Sequence, residues 1–351
     1  MSTQELTVMT RLYREEDKNR WDEYVFESGT SNCYHQIGWK RVVERSFAHN
    51  TYYLLTEDAN GRICGILPLV HMKSIFFGNF LVSSPYFNYG GICADNEKIA
   101  HILLKEAVKI ALDKNAEHIE LRHTQRLDNK LPFKTAKVSM RLELLQNEDE
   151  LFDSFSSKLR SQIRRPLKEE MYSKIGRDEE LNSFYTVFSI NMRDLGTPVY
   201  AKEFFRNILE EFPETTRINT VYTKRGNPVA SAFLVGFKEI LEIPWASSLR
   251  SYNRHSPNML LYWSSLKFAS ENGYRVFDFG RSTPGEGTHR FKEQWGAKPF
   301  QLYWHYWMRD GGLLPELSPK NPKFKLIINL WKKLPVGLTR AIGPGIVRNI
   351  P

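Results

Sequence analysis

Two stretches of the 351-residue chain follow the same plan. Residues 61–69, GRICGILPL, resemble 226–234, GNPVASAFL: each is a turn glycine followed by a strand of small and apolar residues. Residues 103–123, LLKEAVKIALDKNAEHIELRH, match 260–282, LLYWSSLKFASENGYRVFDFGRS. Each of these is an amphipathic helix that stops at Asn-Ala or Asn-Gly and leads into a short strand. Both pairs are offset by about 160 residues, which points to one duplicated module. A length of 351 residues suits two cores of about 150 residues each, and 41% apolar residues suffice to fill them.

Each half mixes helices and strands, so the expected fold class is α/β (α+β), with a mixed central sheet flanked by helices in each module. The boundary is placed at residues 147–150, where polar residues separate two patterned regions. That gives domains 1–148 and 149–310 and a tail, 311–351. In the second half, Leu181, Tyr185, Phe188, Met192 and Leu195 recur at helical spacing, with Gly196 as the stop. A further helix is expected near 200–212, its apolar face set by Phe204, Phe205, Ile208, Leu209 and Phe212.

The tail is rich in Pro, Gly and Lys. Phe324, Ile327, Ile328, Trp331 and Leu334 form an apolar stripe flanked by Lys323, Lys325, Lys332 and Lys333. Such a segment lies in a membrane interface or docks on its own protein; so short a stripe buries little by itself, which favours docking. No run of 18 apolar residues exists and the N-terminus lacks a secretory apolar stretch, so the expected location is the cytoplasm, with peripheral contact at the inner face of a membrane left open by the tail.

The formal charge of +9 calls for an anionic partner, such as a phosphorylated ligand, nucleic acid or lipid headgroups, unless it is a solvated basic surface. Cys33, Cys64 and Cys93 are scattered and odd in number, which argues against disulfides and thiolate metal sites. His118 and His123 fall five apart on a predicted strand and face opposite sides, and no HExxH is present, so no metal is expected. The absence of GxSxG, GxxxxGK[ST] and a strand-following GxGxxG demotes hydrolases, NTPases and dinucleotide enzymes.

The stretch with most chemistry is FDFGRSTPGEGTHRFKEQWGA, residues 277–297. It reads as a strand, a glycine loop and a two-turn helix. Strand alternation sets Asp278 opposite Phe277 and Phe279, and a carboxylate on a core strand must be paired, with Arg275 or Arg281, or functional. Gly285 and Gly287 let backbone approach a ligand, Thr288 is a plausible N-cap, and amides at the helix start favour a phosphate or carboxylate. The loop matches an acyl-CoA-binding RxxGxG motif only in part, because one extra residue separates Arg281 from Gly285. Arg281, Arg290 and Lys292 surround it with positive charge. Phe291 and Trp295 share a helix face that holds the helix to the core, which leaves Lys292 to stabilise charge on a carbonyl oxygen or leaving group; a merely solvated lysine is the alternative.

Arg160 and Arg164, one helical turn apart, suit a phosphate or diphosphate, although an exposed basic face paired with Glu169 and Glu170 fits the spacing better. Pro166 kinks or ends that helix. Tyr86 and Tyr89, in SSPYFNYGG, together with Trp245 and Asn258, have the composition of a binding wall and equally that of ordinary packing.

Taken in order, PYFNYGG, SQIRRP, NMRDLGTPVY, EIPWASS, SPNMLLYW and FDFGRSTPGEGTHRFKEQWGA resemble the FemAB group of the GNAT superfamily, nearest the branch associated with exosortase and PEP-CTERM exopolysaccharide systems. The resemblance spans residues 1 to about 310 and includes the tail. It implies two tandem GNAT-like domains facing a shared cleft, and transfer of an aminoacyl or acyl group to an amine on a peptidoglycan- or exopolysaccharide-related envelope precursor. It also implies that Phe291 and Lys292 lie near the transferred group; in the N-acyltransferase reading, Asp278 or a first-domain tyrosine is expected to position or deprotonate the amine. No permanent cofactor is implied; the donor is aminoacyl-tRNA or acyl-CoA. The chain departs from some relatives in lacking a heptad segment for a helical arm linked to tRNA handling. The remaining readings are an acyl-CoA-dependent N-acetyltransferase, a non-catalytic tandem-domain component of an envelope polysaccharide assembly and, last, a nucleic-acid binder.

Overall fold

The computed structural model describes residues 8–75, 77–127, 130–312, 314–315 and 322–351; the side chains of 322–326, and so those of Lys323, Phe324 and Lys325, lie outside the described set. The chain divides into two compact units, Met1–Lys137 with Gln301–Pro315 and Asn349–Pro351, and Val138–Phe300 with Glu316–Arg348.

The first part of the chain contributes β1 (Met9–Leu12), α1 (Lys18–Glu27), α2 (Gly38–Phe47), β2 (Asn50–Thr51), β3 (Leu54–Glu57), β4 (Ile63–Leu67), β5 (Val70–Ser74), β6 (Gly78–Val82), β7 (Cys93–Ala94), α3 (Glu97–Asp113), β8 (His118–His123) and β9 (Phe133–Lys134). Then follow β10 (Val138–Glu143), α4 (Glu148–Ser154), α5 (Ser157–Lys168), β11 (Tyr172–Gly176), α6 (Leu181–Leu195), α7 (Lys202–Glu211), β12 (Thr216–Tyr222), β13 (Pro228–Phe237), β14 (Ile240–Ser248), α8 (Pro257–Glu271), β15 (Val276–Ser282), α9 (Gly287–Glu293), β16 (Lys298–Gln301), β17 (Tyr303–Met308), α10 (Pro322–Trp331) and α11 (Val336–Val347).

The stretches that repeat in sequence have similar local structure. Gly61 N–H donates to Asp58 O and Gly226 N–H to Thr223 O in two turns of the same kind, each glycine at φ +78° and each turn opening the next strand, β4 or β13. Helices α3 and α8 end at left-handed residues, Asn115 and Gly273, before strands β8 and β15. Each of those strands pairs in parallel with an earlier strand of its own half, β8 with β6 and β15 with β14.

On its other edge each central strand takes an antiparallel neighbour from the opposite half of the sequence: β17 beside β8, and β10 beside β15. All six residues of β8 are buried, and a strand covered on both faces cannot be left as a bare edge. This pairing sets the division at Lys137 and Val138, before the polar residues 147–150, because Val138–Glu143 belongs to the sheet of the second unit.

The first unit's strands form two sheets, ordered β1-β3-β4-β7 and β2-β5-β6-β8-β17-β9; the second unit has one, β11-β12-β13-β14-β15-β10-β16. In the second unit, α6 buries Leu181, Phe184, Val187 and Phe188 and leaves Leu195 half-exposed, so its apolar face is turned from the one the spacing suggested. Phe184, Phe205, Phe233 and Trp245 interlock there edge to face. Pro166 does not end α5, which runs on to Lys168.

The tail packs on its own unit through Ile328 and Trp331, whereas Ile327 of the same stripe stays exposed. Ile328 sits against Gly196 at the end of α6, Arg193 Nη1 donates to Leu334 O (3.2 Å), and Arg340 Nε donates to Ser189 Oγ (2.8 Å). Among the described residues no helix is long and apolar enough to cross a membrane.

Candidate active site in the second unit

Strands β14 and β15 are hydrogen-bonded only over residues 240–242 and 276–278. Beyond that point β14 stays with β13 as far as Ser248 and β15 with β10 as far as Ser282. Two parallel strands that part at their carboxyl ends open a wedge in the sheet, the position where α/β folds place ligands. The last paired residues are Glu242 and Asp278, both buried.

Asp278 is fully engaged. Its Oδ1 accepts from Ser139 Oγ and from Gly280 N–H (2.8 Å), and its Oδ2 accepts from Arg141 Nε (2.9 Å). Arg141, which sequence reading did not consider, is an ion-pair partner of Asp278, and Arg275 faces Glu239. Asp278 is thus an organiser of β10, β15 and the turn after them, with three donors on a carboxylate expected to deprotonate an amine.

Lys292 comes to the same place from α9. Only 7% exposed, its Nζ donates to Gly280 O (2.8 Å) and Arg281 O (3.0 Å). The positive φ of Gly280 (+75°) turns the chain within β15, which carries both carbonyls. Burial lowers the ammonium pKa to about 8, Asp278 and Glu242 pull the other way, and Arg281 adds to the lowering. Because its direct partners are carbonyls, no acid neutralises the charge by contact.

The rest of the 277–297 stretch divides into core and surface. Trp295 is buried against Phe155 (5.5 Å between rings) and Tyr262 (6.1 Å), and Phe291 meets Tyr262 edge to face at 5.0 Å. Arg281, Gly285, Gly287, Thr288 and Arg290 are exposed, with open space around both glycines. Glu286, and not Thr288, occupies the N-cap, because α9 starts two residues earlier than the cap reading required. His289 shares the buried face of α9 with Lys292, and its Nδ1 lies 3.2 Å from Glu293 Oε2.

The connection that joins β14 to α8, LRSYNRHS, carries Arg250 and Arg254 but no glycine. Arg254 Nε donates to His255 Nε2 (2.8 Å), while His255 Nδ1 lies 3.5 Å from Glu169. Pro257 opens α8 without an N–H, Met259 N–H returns to Ser256 O, and Asn258 is half-buried in this first turn. A diphosphate cradle made of main-chain amides needs glycines and unspent N–H groups, and this helix start has few of either.

The other expected site residues lie elsewhere. Arg160 is tied to Asp153 (3.0 Å), and Arg164 lies over the Phe152 ring. Trp245 belongs to the aromatic core. In the first unit, Tyr86 stacks on Phe47 with its hydroxyl 2.8 Å from His49 Nε2, and Tyr89 packs on Tyr34.

Sequence reasoning passed over Ser139 and Arg141, whose link to Asp278 spans more than a hundred residues and leaves no local trace. It also passed over His289, for which an HxxxE spacing on one helix face was legible. A further buried pair lies in the first unit. Ile92 N–H donates to His123 Nε2, so His123 carries its proton on Nδ1 and donates it to His305 Nδ1 (3.1 Å). A cavity of about 200 Å³ opens beside His123, lined also by Asn96, Glu97 and Arg126. Among the described residues no group of three His, Cys, Asp or Glu side chains could hold a metal.

Residues 154–293, which contain the β14/β15 wedge and Lys292, match the family described as an acetyltransferase (GNAT) domain. The crystal structure of FemX superposes with a TM-score of 0.66 at 15% identity, over 84% of this chain and 96% of that one. The lysylphosphatidylglycerol synthetase L-PGS from Bacillus licheniformis superposes with a TM-score of 0.56 at 16% identity, covering 95% and 99%. A tandem GNAT protein from the clavulanic acid biosynthesis pathway gives 0.52 at 12% identity, covering 89% and 100%. At such identities the likeness is one of fold: mixed α/β, GNAT-like, with two modules in tandem. Comparison with curated proteins gives no significant match. Residues 154–293 are thus similar to a GNAT acetyltransferase domain, and enzymes of that kind draw their acyl group from a co-substrate, acyl-CoA, and keep no permanent cofactor.

Proposed function

We propose that the chain is an N-acyltransferase that moves an aminoacyl group from aminoacyl-tRNA to an amine of a cell-envelope precursor related to peptidoglycan or exopolysaccharide, working at the cytoplasmic side of the membrane. One observation carries the reading: a buried ammonium, Lys292, held by two carbonyls at the parting of β14 and β15.

In such a transfer the amine nitrogen attacks the donor's ester carbonyl, a C–N bond forms, the C–O bond breaks, and the proton lost by nitrogen passes to the leaving oxygen. Negative charge grows on the carbonyl oxygen at the transition state, and a desolvated cation fixed in advance stabilises it by a few kcal/mol. Lys292 fills that role, its third N–H being the one left over from Gly280 and Arg281. With Asp278 occupied, His289 is the group on the same helix face able to carry the proton, with Glu293 Oε2 3.2 Å from its Nδ1. The preference for a tRNA donor rests on the glycine-free β14–α8 connection, where Arg250 and Arg254 offer side-chain contacts to phosphates in place of an amide cradle. The structural likeness to FemX and L-PGS supports an envelope acceptor.

Two measurements test this reading. Thermal melting of the purified chain with charged tRNA, acetyl-CoA or CoA should show stabilisation by charged tRNA, since a ligand that binds only the folded state raises the melting point. Stabilisation by CoA compounds alone would replace this donor with acyl-CoA, and a shift with none of them would favour the non-catalytic reading. Lys292→Ala should lower transfer about 10²–10³-fold; a folded variant with full activity would remove Lys292 from the mechanism.

A further inference from the structure

The tail helices are docked on one side and apolar on the other. On the docked side Trp331, Thr339, Gly343 and Val347 are buried, and an added Cβ at Gly343 would meet the Val199 backbone at 2.9 Å. On the outer side four aliphatic side chains stand in the open: Ile327 is 60% exposed, Leu330 58%, Leu338 45% and Ile342 42%. Their helical spacing, three and four residues, keeps each pair on one face, next to the buried positions and not among them. Lys332 and Lys333, both exposed, stand in the link between the helices.

Charge is concentrated here too. Residues 311–351 hold seven Lys and Arg against one Glu, a net +6 out of +9 for the whole chain. A surface of isolated aliphatic side chains rimmed by lysines is what an interfacial segment presents to headgroups and the acyl boundary beneath them. A second copy of the chain is a poor occupant, because face-to-face pairing would bring the exposed Lys332 and Lys333 of one copy toward those of the other, in a segment of net +6 by sequence.

We infer that α10 and α11 form a membrane-docking face whose partner is an anionic lipid bilayer, entered by Ile327, Leu330, Leu338 and Ile342 and held by Lys332 and Lys333. The docked side fixes the helices to α6, so the face is presented without the ordering cost that a free amphipathic peptide meets. Each basic side chain near such a surface contributes about 1 kcal/mol, and that share is screened by salt.

The test is sedimentation of the full chain with vesicles of phosphatidylethanolamine and phosphatidylglycerol, against vesicles of phosphatidylcholine alone. Binding to the anionic vesicles that weakens as salt rises is the expected result. The quadruple variant Ile327→Ser, Leu330→Ser, Leu338→Ser, Ile342→Ser should lower partitioning at least about tenfold, and Lys332→Glu with Lys333→Glu should lower it on anionic vesicles. Unchanged melting temperatures would show that the variants keep their fold, since all the substituted positions are exposed. Failure of the native chain to bind anionic vesicles, equal binding by the quadruple variant, or a dimer in solution that the quadruple variant abolishes would each overturn the inference. No acyl donor or acceptor enters the experiment, so its outcome is independent of the transfer reading.

Discussion

Lys292 and the histidine pair show opposite ways of burying a titratable group, and their behaviour with pH follows. Burial lowers the Lys292 pKa to about 8, so its charged form is lost as pH rises through that value. If the ammonium stabilises the transition state, transfer should fall on the alkaline side with an apparent pKa near 8. Lys292→Arg should keep its charge and lose that limb, whatever its absolute rate; the same alkaline limb in both proteins would exclude Lys292 as its source. His123 and His305 are held neutral: burial pushes His123 well below its ordinary value and His305 down to about 4. In the unfolded chain these imidazoles take up protons near pH 6.5, so the unfolded state binds more protons as pH falls from there toward 4, and stability declines over that window. Urea unfolding at pH 7 and pH 5 should show the loss, on the order of 2 kcal/mol, and His305→Phe should reduce the difference. At this scale the sequence announced that Asp278 needed a partner, because an acid on a core strand always does, but it could not say that Ser139 and Arg141 would supply it.

Elements with a strong local period or a glycine stop were legible: the α3–β8 and α8–β15 repeats, the turns at Gly61 and Gly226, and the tail helix that docks. The placement of β10 and β17 was not, because a strand's alternation says which face is buried and nothing about which sheet it joins. The face of α6 was misjudged for a related reason. Phe184 and Val187 are as apolar as Tyr185 and Met192, and contact with Phe205 and Phe233 across the core selects between them. Gly196 ends α6 at φ +80°, and a Cβ there would lie 2.5 Å from the Ile328 side chain. Gly196→Ala should therefore strain the turn and push on α10 together, costing about 1–2 kcal/mol. Limited proteolysis should cut the variant's tail faster than the native one; equal rates would mean that α10 is not anchored through this contact.

At the scale of the whole chain, duplication and strand exchange work together. A simple tandem repeat predicts that halves cut at 148 and 149 fold by themselves, since each holds a complete module by sequence. The sheets predict otherwise. Fragment 1–148 lacks β17, which leaves the fully buried β8 without its antiparallel neighbour, and fragment 149–310 lacks β10, which removes Ser139 and Arg141 from Asp278 and separates β15 from β16. A bare edge on a strand buried on both faces exposes apolar surface and unpaired main-chain groups at once, so each fragment should aggregate or remain unfolded. The shortest piece expected to keep all three sheets runs from β1 through β17 without a break. Circular dichroism and thermal melting of the two fragments, made separately and then mixed, check this. Two cooperative melts from the separate fragments would show that the exchanged strands are dispensable, whereas a melt that appears only on mixing would show that each half of the sequence completes the other's sheet.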